Sequence, residues 1–274
     1  MIIAQISDPH IGLGGDSTDP QDKPTVQLRR AVDHLMRLPA PPDVVLITGD
    51  CVDGGSMPEY QRFRALLRPL TMPVYVIPGN HDDRVQLQAL FGSQGSASLA
   101  GFVQYVVDTG PVRLIALDTN VPGKGEGYLC AERLAWLEQR LAEAPERPTL
   151  IFMHHPPFLT GLAPFDQIGL TNADMLGALI ARHPQVERIV AGHVHSTMLR
   201  RFHGTLAMTC SSTMYQMFPD LHRPKGVSVV MEPPACLLHV WRESTGMITH
   251  TNLIGEYGPP VELHDGTSWV PASS

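Results

Sequence analysis

Five short apolar runs in this chain stop abruptly, and each stop is followed by side chains that carry lone pairs or charge. Ile2–Ile6 leads to Asp8-Pro9-His10, and Val44–Ile47 to Gly49-Asp50. Val74–Ile77 breaks at Pro78 and Gly79 and then presents Asn80-His81-Asp82-Asp83. Thr149–Met153 ends in His154-His155, and Arg188–Ala191 in Gly192-His193-Val194-His195. Aliphatic and β-branched runs closed by Gly or Pro read as buried strands. In open α/β sheets, sites gather beyond the carboxyl ends of the strands. The five polar ends are therefore expected to meet at one point.

Helical patterns separate the runs. Thr25–Leu38 places Leu28, Ala31, Val32, Leu35 and Met36 at helical spacing, and Pro39, Pro41 and Pro42 end it. Ser56-Met57-Pro58-Glu59 is a capping box that opens a helix carrying Tyr60, Phe63, Leu66 and Leu67 on one face. Further helices are expected near 83–91, 131–142 and 173–182. Residues 102–108 and 112–118 read as an antiparallel pair, and 198–202, 205–209, 227–231 and 237–241 as later strands. Strand–helix alternation in the first half predicts a largely parallel sheet, and the later hairpins a second one. The fold class is α/β, a layered sandwich. Residues 1–200 are expected to form the catalytic core. Residues 201–274 would complete the second sheet and supply a segment for oligomerisation or substrate capping.

Bulk properties exclude several classes. A formal charge of −7 and the lack of a basic run argue against a nucleic-acid polymer as partner. Four scattered cysteines, with no CxxC pair, fit neither a disulfide framework nor a zinc ribbon. The chain opens directly on an apolar run without a basic leader, and no stretch has the length of a membrane span, so a cytoplasmic location is expected.

The polar ends suit a metal centre. In extended backbone residues i and i+2 point the same way, so Asp8 with His10, and His193 with His195, can each reach one point. Mixed oxygen and imidazole donors favour Mn, Fe, Co or Zn over Ca or Mg. Seven donors are too many for one ion, whereas two ions sharing the Asp50 carboxylate would use them. Two divalent ions bring four positive charges; Asp8 and Asp50 cancel two, and a bridging hydroxide a third. The small net positive charge left suits a phosphodiester monoanion. His10, His154, His193 or His195 taken alone fits better as a satisfied core residue, and Asp8, Asp50 and Asn80 equally well as helix caps or turn formers. The joint occurrence of all five segments carries the metal hypothesis.

Taken in order, D-x-H, G-D, G-N-H-D, a strand-terminal His and G-H-x-H resemble the signature of the calcineurin-like metallophosphoesterases. The match spans Asp8–His195, about two thirds of the chain. Pro-Gly-Asn-His-Asp-Asp and Met-His-His-Pro-Pro are similar to the wording of the glycerophosphodiesterase and class III cyclic-nucleotide phosphodiesterase group. The resemblance implies a four-layer αββα sandwich of two mixed sheets flanked by helices, two metal ions (Mn and Fe favoured), and phosphodiester hydrolysis by a metal-bound hydroxide. It assigns Asp8, His10, His195 and Asp50 to one ion, and Asn80, His154, His193 and Asp50 to the other. His81, beside Asn80, is expected to touch the phosphoryl group or protonate the leaving alkoxide, and His155 to point away. Asp83 is expected to cap the next helix. Glycerophosphodiesterase members carry a His near the position of Tyr215, so the Tyr here departs from that pattern and leaves the substrate identity open; Tyr215 is a substrate-side candidate with Asn80 and His81. The segment Met214–Lys225, with His222, is placed near the site or another subunit, and Met214, Met217 and Phe218 are expected to form a subunit contact in a homo-oligomer. The same core would serve a phosphomonoesterase. The absence of Arg from the five blocks favours diesters, and the complete donor set argues against a non-catalytic scaffold.

Overall fold

The computed structural model describes residues 1–13, 23–92, 94–108, 110–221, 226–264 and 266–269. Three strand–helix units open the chain: β1 (Ile2–Ile6), α1 (Lys23–Met36), β2 (Val44–Ile47), α2 (Met57–Leu67), β3 (Val74–Val76) and α3 (Arg84–Phe91). Strands β1, β2 and β3 are parallel neighbours. The capping box forms as expected, with Ser56 N donating to Glu59 Oε2 at 2.8 Å. Asp83 caps α3 through Gln86 N at 2.9 Å.

After α3 the chain leaves this sheet. A six-stranded sheet forms from β4 (Tyr105–Val107), β5 (Arg113–Ala116), β6 (Thr149–Phe152), β7 (Val186–Ala191), β8 (Leu199–Phe202) and β9 (Thr205–Thr209), in the order β4-β5-β6-β7-β9-β8. Helices α4 (Ala131–Ala142), α5 (Ala163–Asp166) and α6 (Ala173–Ile180) lie along its crossovers. Period-two alternation places the strands between two cores. Leu114, Ala116, Leu150 and Phe152 join the cluster shared with β1–β3 and α1–α3. Ile115, Leu117, Ile151 and Met153 join the one built with Leu134, Leu137, Leu176 and Ile180 of α4 and α6. The result is the expected αββα layering.

Two expectations are corrected. The parallel sheet of the first half is two sheets, because the chain changes sheet after β3. Residues 201–274 do not all serve the second sheet. After the small antiparallel pair β10 (Gln216–Met217) and β11 (Val229–Val230), strands β12 (Ala235–Arg242) and β13 (Gly246–Leu253) return to the first. Its order becomes β13-β12-β1-β2-β3, with β12 antiparallel to β1. Cys236 and Leu237 are fully buried there, which drives the return. Met217 is buried rather than exposed, whereas Phe218 is exposed as expected. The four cysteines are free.

Candidate metal centre

All seven candidate donors converge beyond the carboxyl ends of β1, β2, β3, β6 and β7. Asp8, His10, Asp50, His154, His193 and His195 are buried, and Asn80 lies partly so. The backbone is bent hard to achieve this. Seven described non-glycine residues have positive φ, and five are Asp8, His10, Asp50, His193 and His195. Each such conformation costs on the order of 1–3 kcal/mol, and the cost concentrates where side chains must be aimed rather than packed. Glycines make the close approach feasible. A Cβ at Gly79 would overlap Asp50 Oδ1, and one at Gly192 would overlap Ser7 Oγ and Asp8 Oδ2.

The donors form two groups joined by Asp50. His10 Nε2 lies 3.1 Å from His195 Nε2, and His195 Nε2 3.6 Å from Asp8 Oδ1. On the other side, Asn80 Oδ1 lies 3.0 Å from both His154 Nε2 and His193 Nδ1. Asp50 Oδ2 is 3.6 Å from His10 Nε2 and 3.5 Å from His154 Nε2. One carboxylate oxygen therefore touches both groups. Asp50 Oδ1 accepts from His81 N at 3.0 Å. Both oxygens of Asp8 accept from His193 N, at 3.0 and 3.1 Å, which ties the β1 loop to the β7 loop.

The proton inventory leaves room for cations. His154 Nδ1 donates to Thr48 O at 2.8 Å, and His195 Nδ1 to Tyr215 O at 3.2 Å. In their neutral forms the Nε2 atoms of both rings are then bare lone pairs. His154 Nε2 points them at Asn80 Oδ1 and Asp50 Oδ2, which are also acceptors. His193 Nε2 is buried with no hydrogen-bond partner among the described residues. Lone pairs converging at such distances repel unless a proton or a cation lies among them. A proton on His154 or a metal ion among the donors meets this need, and the carbonyls behind the imidazoles fix the tautomer that would ligate.

Electrostatics agree. Burial pushes His195 down to about 3 and, with His155 and His154 beside it, holds His193 well below its usual value. Both rings are neutral at physiological pH, the form that ligates. Burial pushes the Asp8 carboxyl up to about 6. At Asp50 burial acts the same way, but the adjacent His154 outweighs it and holds the carboxyl well below the usual range. His154 is driven the other way, to about 9, because Asp50 overcomes its burial.

Around the donors, His155 is buried with Nδ1 on Thr119 Oγ1 (2.8 Å) and Nε2 on Gly125 O (3.0 Å). Its ring lies 4.6 Å from that of His193, so it does not point away, yet both nitrogens are spoken for. Asp82 accepts from Cys51 N, Gly79 N and Tyr60 Oη, fixing the loop that carries Asn80. Asn120 Nδ2 secures the same loop through Gly79 O. His81 stands at the rim, its ring edge-on to His10 at 4.7 Å. The Tyr215 ring lies 4.7 Å from that of His195. His222 and residues 14–22, which follow His10 in the chain, fall outside the described residues.

One residue escaped the sequence reading. Asp53 Oδ1 lies 3.5 Å from both His10 Nδ1 and His81 Nδ1, and Asp53 O is 3.1 Å from His81 Nδ1. Its signal was present in Gly49-Asp50-x-x-Asp53, a second carboxylate one turn past the first. In the sequence Asp53 stands before Gly54-Gly55 and reads as an ordinary turn aspartate.

Comparison with known proteins follows this geometry. The calcineurin-like phosphoesterase model matches residues 1–197. The chain belongs to the calcineurin-like phosphoesterase family. A probable glycerophosphodiester phosphodiesterase GpdQ of Arcobacter nitrofigilis is 34% identical over 97% of this phosphoesterase and 97% of its own length. The 3',5'-cyclic adenosine monophosphate phosphodiesterase CpdA of Pseudomonas aeruginosa is 34% identical, over 80% and 78% of the two chains. Among solved structures, a dimetal phosphatase from Danio rerio superposes with a TM-score of 0.66 at 17% identity, covering 93% of this chain and 99% of that one, and so shares the fold.

Proposed function

We infer that this phosphoesterase is a binuclear-metal phosphodiesterase acting on small organic diesters, glycerophosphodiesters or cyclic nucleotides. The position of Asp50 Oδ2 between an imidazole of each group carries the inference, because one shared carboxylate oxygen is what two adjacent cations require. Asp8, His10, His195 and Asp50 would hold one ion; Asn80, His154, His193 and Asp50 the other. Mn or Fe is favoured by the mixed donor set. Four protein donors each leave coordination positions for water and substrate. Bound divalent ions supply Lewis acidity, which lowers the pKa of water and offsets charge on the phosphoryl oxygens.

The protein's own groups complete the chemistry. His81 Nδ1 is engaged by Asp53 O, so Nε2 is the nitrogen turned to substrate. Nε2 is the nitrogen placed to give a proton to a leaving alkoxide, while Nδ1 stays on the Asp53 carbonyl. Tyr215 flanks His195 and would line the substrate side. The names of the relatives support the diester class. So does Arg84, the arginine just past the Asn80–Asp83 block, whose guanidinium is committed to Asp118 and Asn120 O rather than to the site.

Rates on bis(p-nitrophenyl) phosphate and p-nitrophenyl phosphate, with Mn, Fe or Co added, test the class. A panel of glycerophosphodiesters and cyclic nucleotides then tests the substrate. Diester turnover that exceeds monoester turnover is expected; the reverse would make the chain a phosphomonoesterase on the same core. A homo-oligomer is expected from the exposed Phe218, Leu221, Val227 and Val229 around the β10–β11 pair, and light scattering that gives a monomer would overturn it. No helix of the described residues is long and apolar enough to cross a membrane.

A further inference from the structure

Beneath the donors runs a chain of polar side chains that the metal chemistry does not use. Gln5, Ser7, Thr48 and His239 are all fully buried. Gln5 projects from β1 toward the second sheet, and its Nε2 lies 2.9 Å from Thr48 Oγ1 and 2.9 Å from Ala191 O at the end of β7. A carbonyl only accepts, so the amide orientation is fixed and Oε1 faces His239 Nε2 at 3.2 Å. His239 Nε2 must then donate, and His239 Nδ1 accepts from Thr249 Oγ1 at 2.9 Å. Burial pushes His239 down to about 3, consistent with that single-proton ring. Thr48 Oγ1, accepting from Gln5, spends its own proton on Ser7 Oγ at 2.6 Å. Ser7 Oγ turns back to Thr48 O at 3.4 Å, the same carbonyl that accepts from His154 Nδ1. Every member has one direction, set by the carbonyls at Ala191 and Thr48.

The chain touches three strands just before their donors emerge. Gln5 precedes Asp8, Thr48 precedes Asp50, and Ala191 precedes His193. We propose that Gln5 is a positioning residue for the metal centre: its amide locks β1, β2 and β7 to one another across the two sheets and, through Thr48, fixes the carbonyl that holds His154 in its ligating tautomer. The proposal rests on the binuclear reading above. An apolar side chain at this position would fill the space but leave His239 Nε2 without its acceptor, and would remove one donor each from Thr48 Oγ1 and from Ala191 O, which keeps only Cys210 N.

The test uses the full chain loaded with cobalt. Gln5→Met removes the amide at similar length. Thr48→Val removes the hydroxyl but keeps the carbonyl, and Thr48→Ser restores the hydroxyl. Cobalt affinity by chelator competition, the visible d–d spectrum, and kcat and KM on bis(p-nitrophenyl) phosphate are measured. Gln5→Met and Thr48→Val should lose about 10–100-fold in affinity for one ion or in kcat, with a changed spectrum and KM held, as removal of groups behind metal ligands does elsewhere. Thr48→Ser should recover the wild-type spectrum and rate. Folded variants with wild-type spectrum, affinity and kcat would overturn the proposal. If Gln5→Met does not fold, the Thr48 pair decides by the same readouts. A wild-type chain that binds no cobalt and turns over no diester would sink the binuclear reading itself. Metal-replete wild type beside indifferent variants would sink only the role of Gln5.

Discussion

At Asp50 one carboxylate oxygen faces His10 and His154 at 3.6 and 3.5 Å, while its other oxygen takes the amide of His81. Asp50→Ala should therefore empty both ion positions, and elemental analysis should find no stoichiometric metal beside lost turnover. His81 stands outside the proposed donor set, although its ring, His10 and Asp53 have ligand-type atoms within 4.8 Å of one another. His81→Ala should keep the metal content and lower kcat by about 10²–10⁴-fold, the range of a lost general acid; loss of metal instead would make it a ligand. Asp53→Asn should retain metal content by elemental analysis and lower kcat, because Asp53 Oδ1 lies 3.5 Å from both His10 Nδ1 and His81 Nδ1. Protons and cations compete for His154. Its ion-free pKa of about 9 means the ring is charged at neutral pH, so binding must expel a proton. Apparent metal affinity should fall as pH drops below about 9, and a pH-independent affinity by chelator competition would contradict the assignment.

At the scale of elements, the strand ends and their glycines set the geometry. Gly79 has an ordinary φ, so its constraint is space alone: any Cβ there meets Asp50 Oδ1. Gly79→Ala should cost about 1–3 kcal/mol of stability and lower metal content together, measured by thermal unfolding and elemental analysis. The strands that carry donors were legible because each is a short apolar run with an abrupt polar stop. The helices α1, α2 and α4 were legible from apolar spacing and caps. What escaped was non-local. Nothing within residues 235–242 states that they pair with β1 at the other end of the chain rather than with their neighbours in sequence. β13 escaped for another reason: as an edge strand of the sequence GMITHTNL it buries little and has no apolar stripe. Asp53 was hidden as an ordinary turn aspartate before Gly54-Gly55, and His155 was misdirected because the backbone at the β6 end is not the extended chain on which strict alternation depends.

For the whole molecule, two sheets are clamped face to face, and the donors come from both: β1, β2 and β3 of one and β6 and β7 of the other. Cations at their junction would cross-link the layers, so chelation should lower the unfolding temperature. An ion held at about a thousand times its Kd is worth about 4 kcal/mol to the folded state. If two ions per chain share Asp50 and together support diester hydrolysis, titrating metal-stripped protein with manganese while following bis(p-nitrophenyl) phosphate turnover should show it. Little activity is expected at the first equivalent and full activity as the second binds, with two ions per chain at the plateau. Full turnover in stripped protein, or a plateau at one ion per chain, would contradict it.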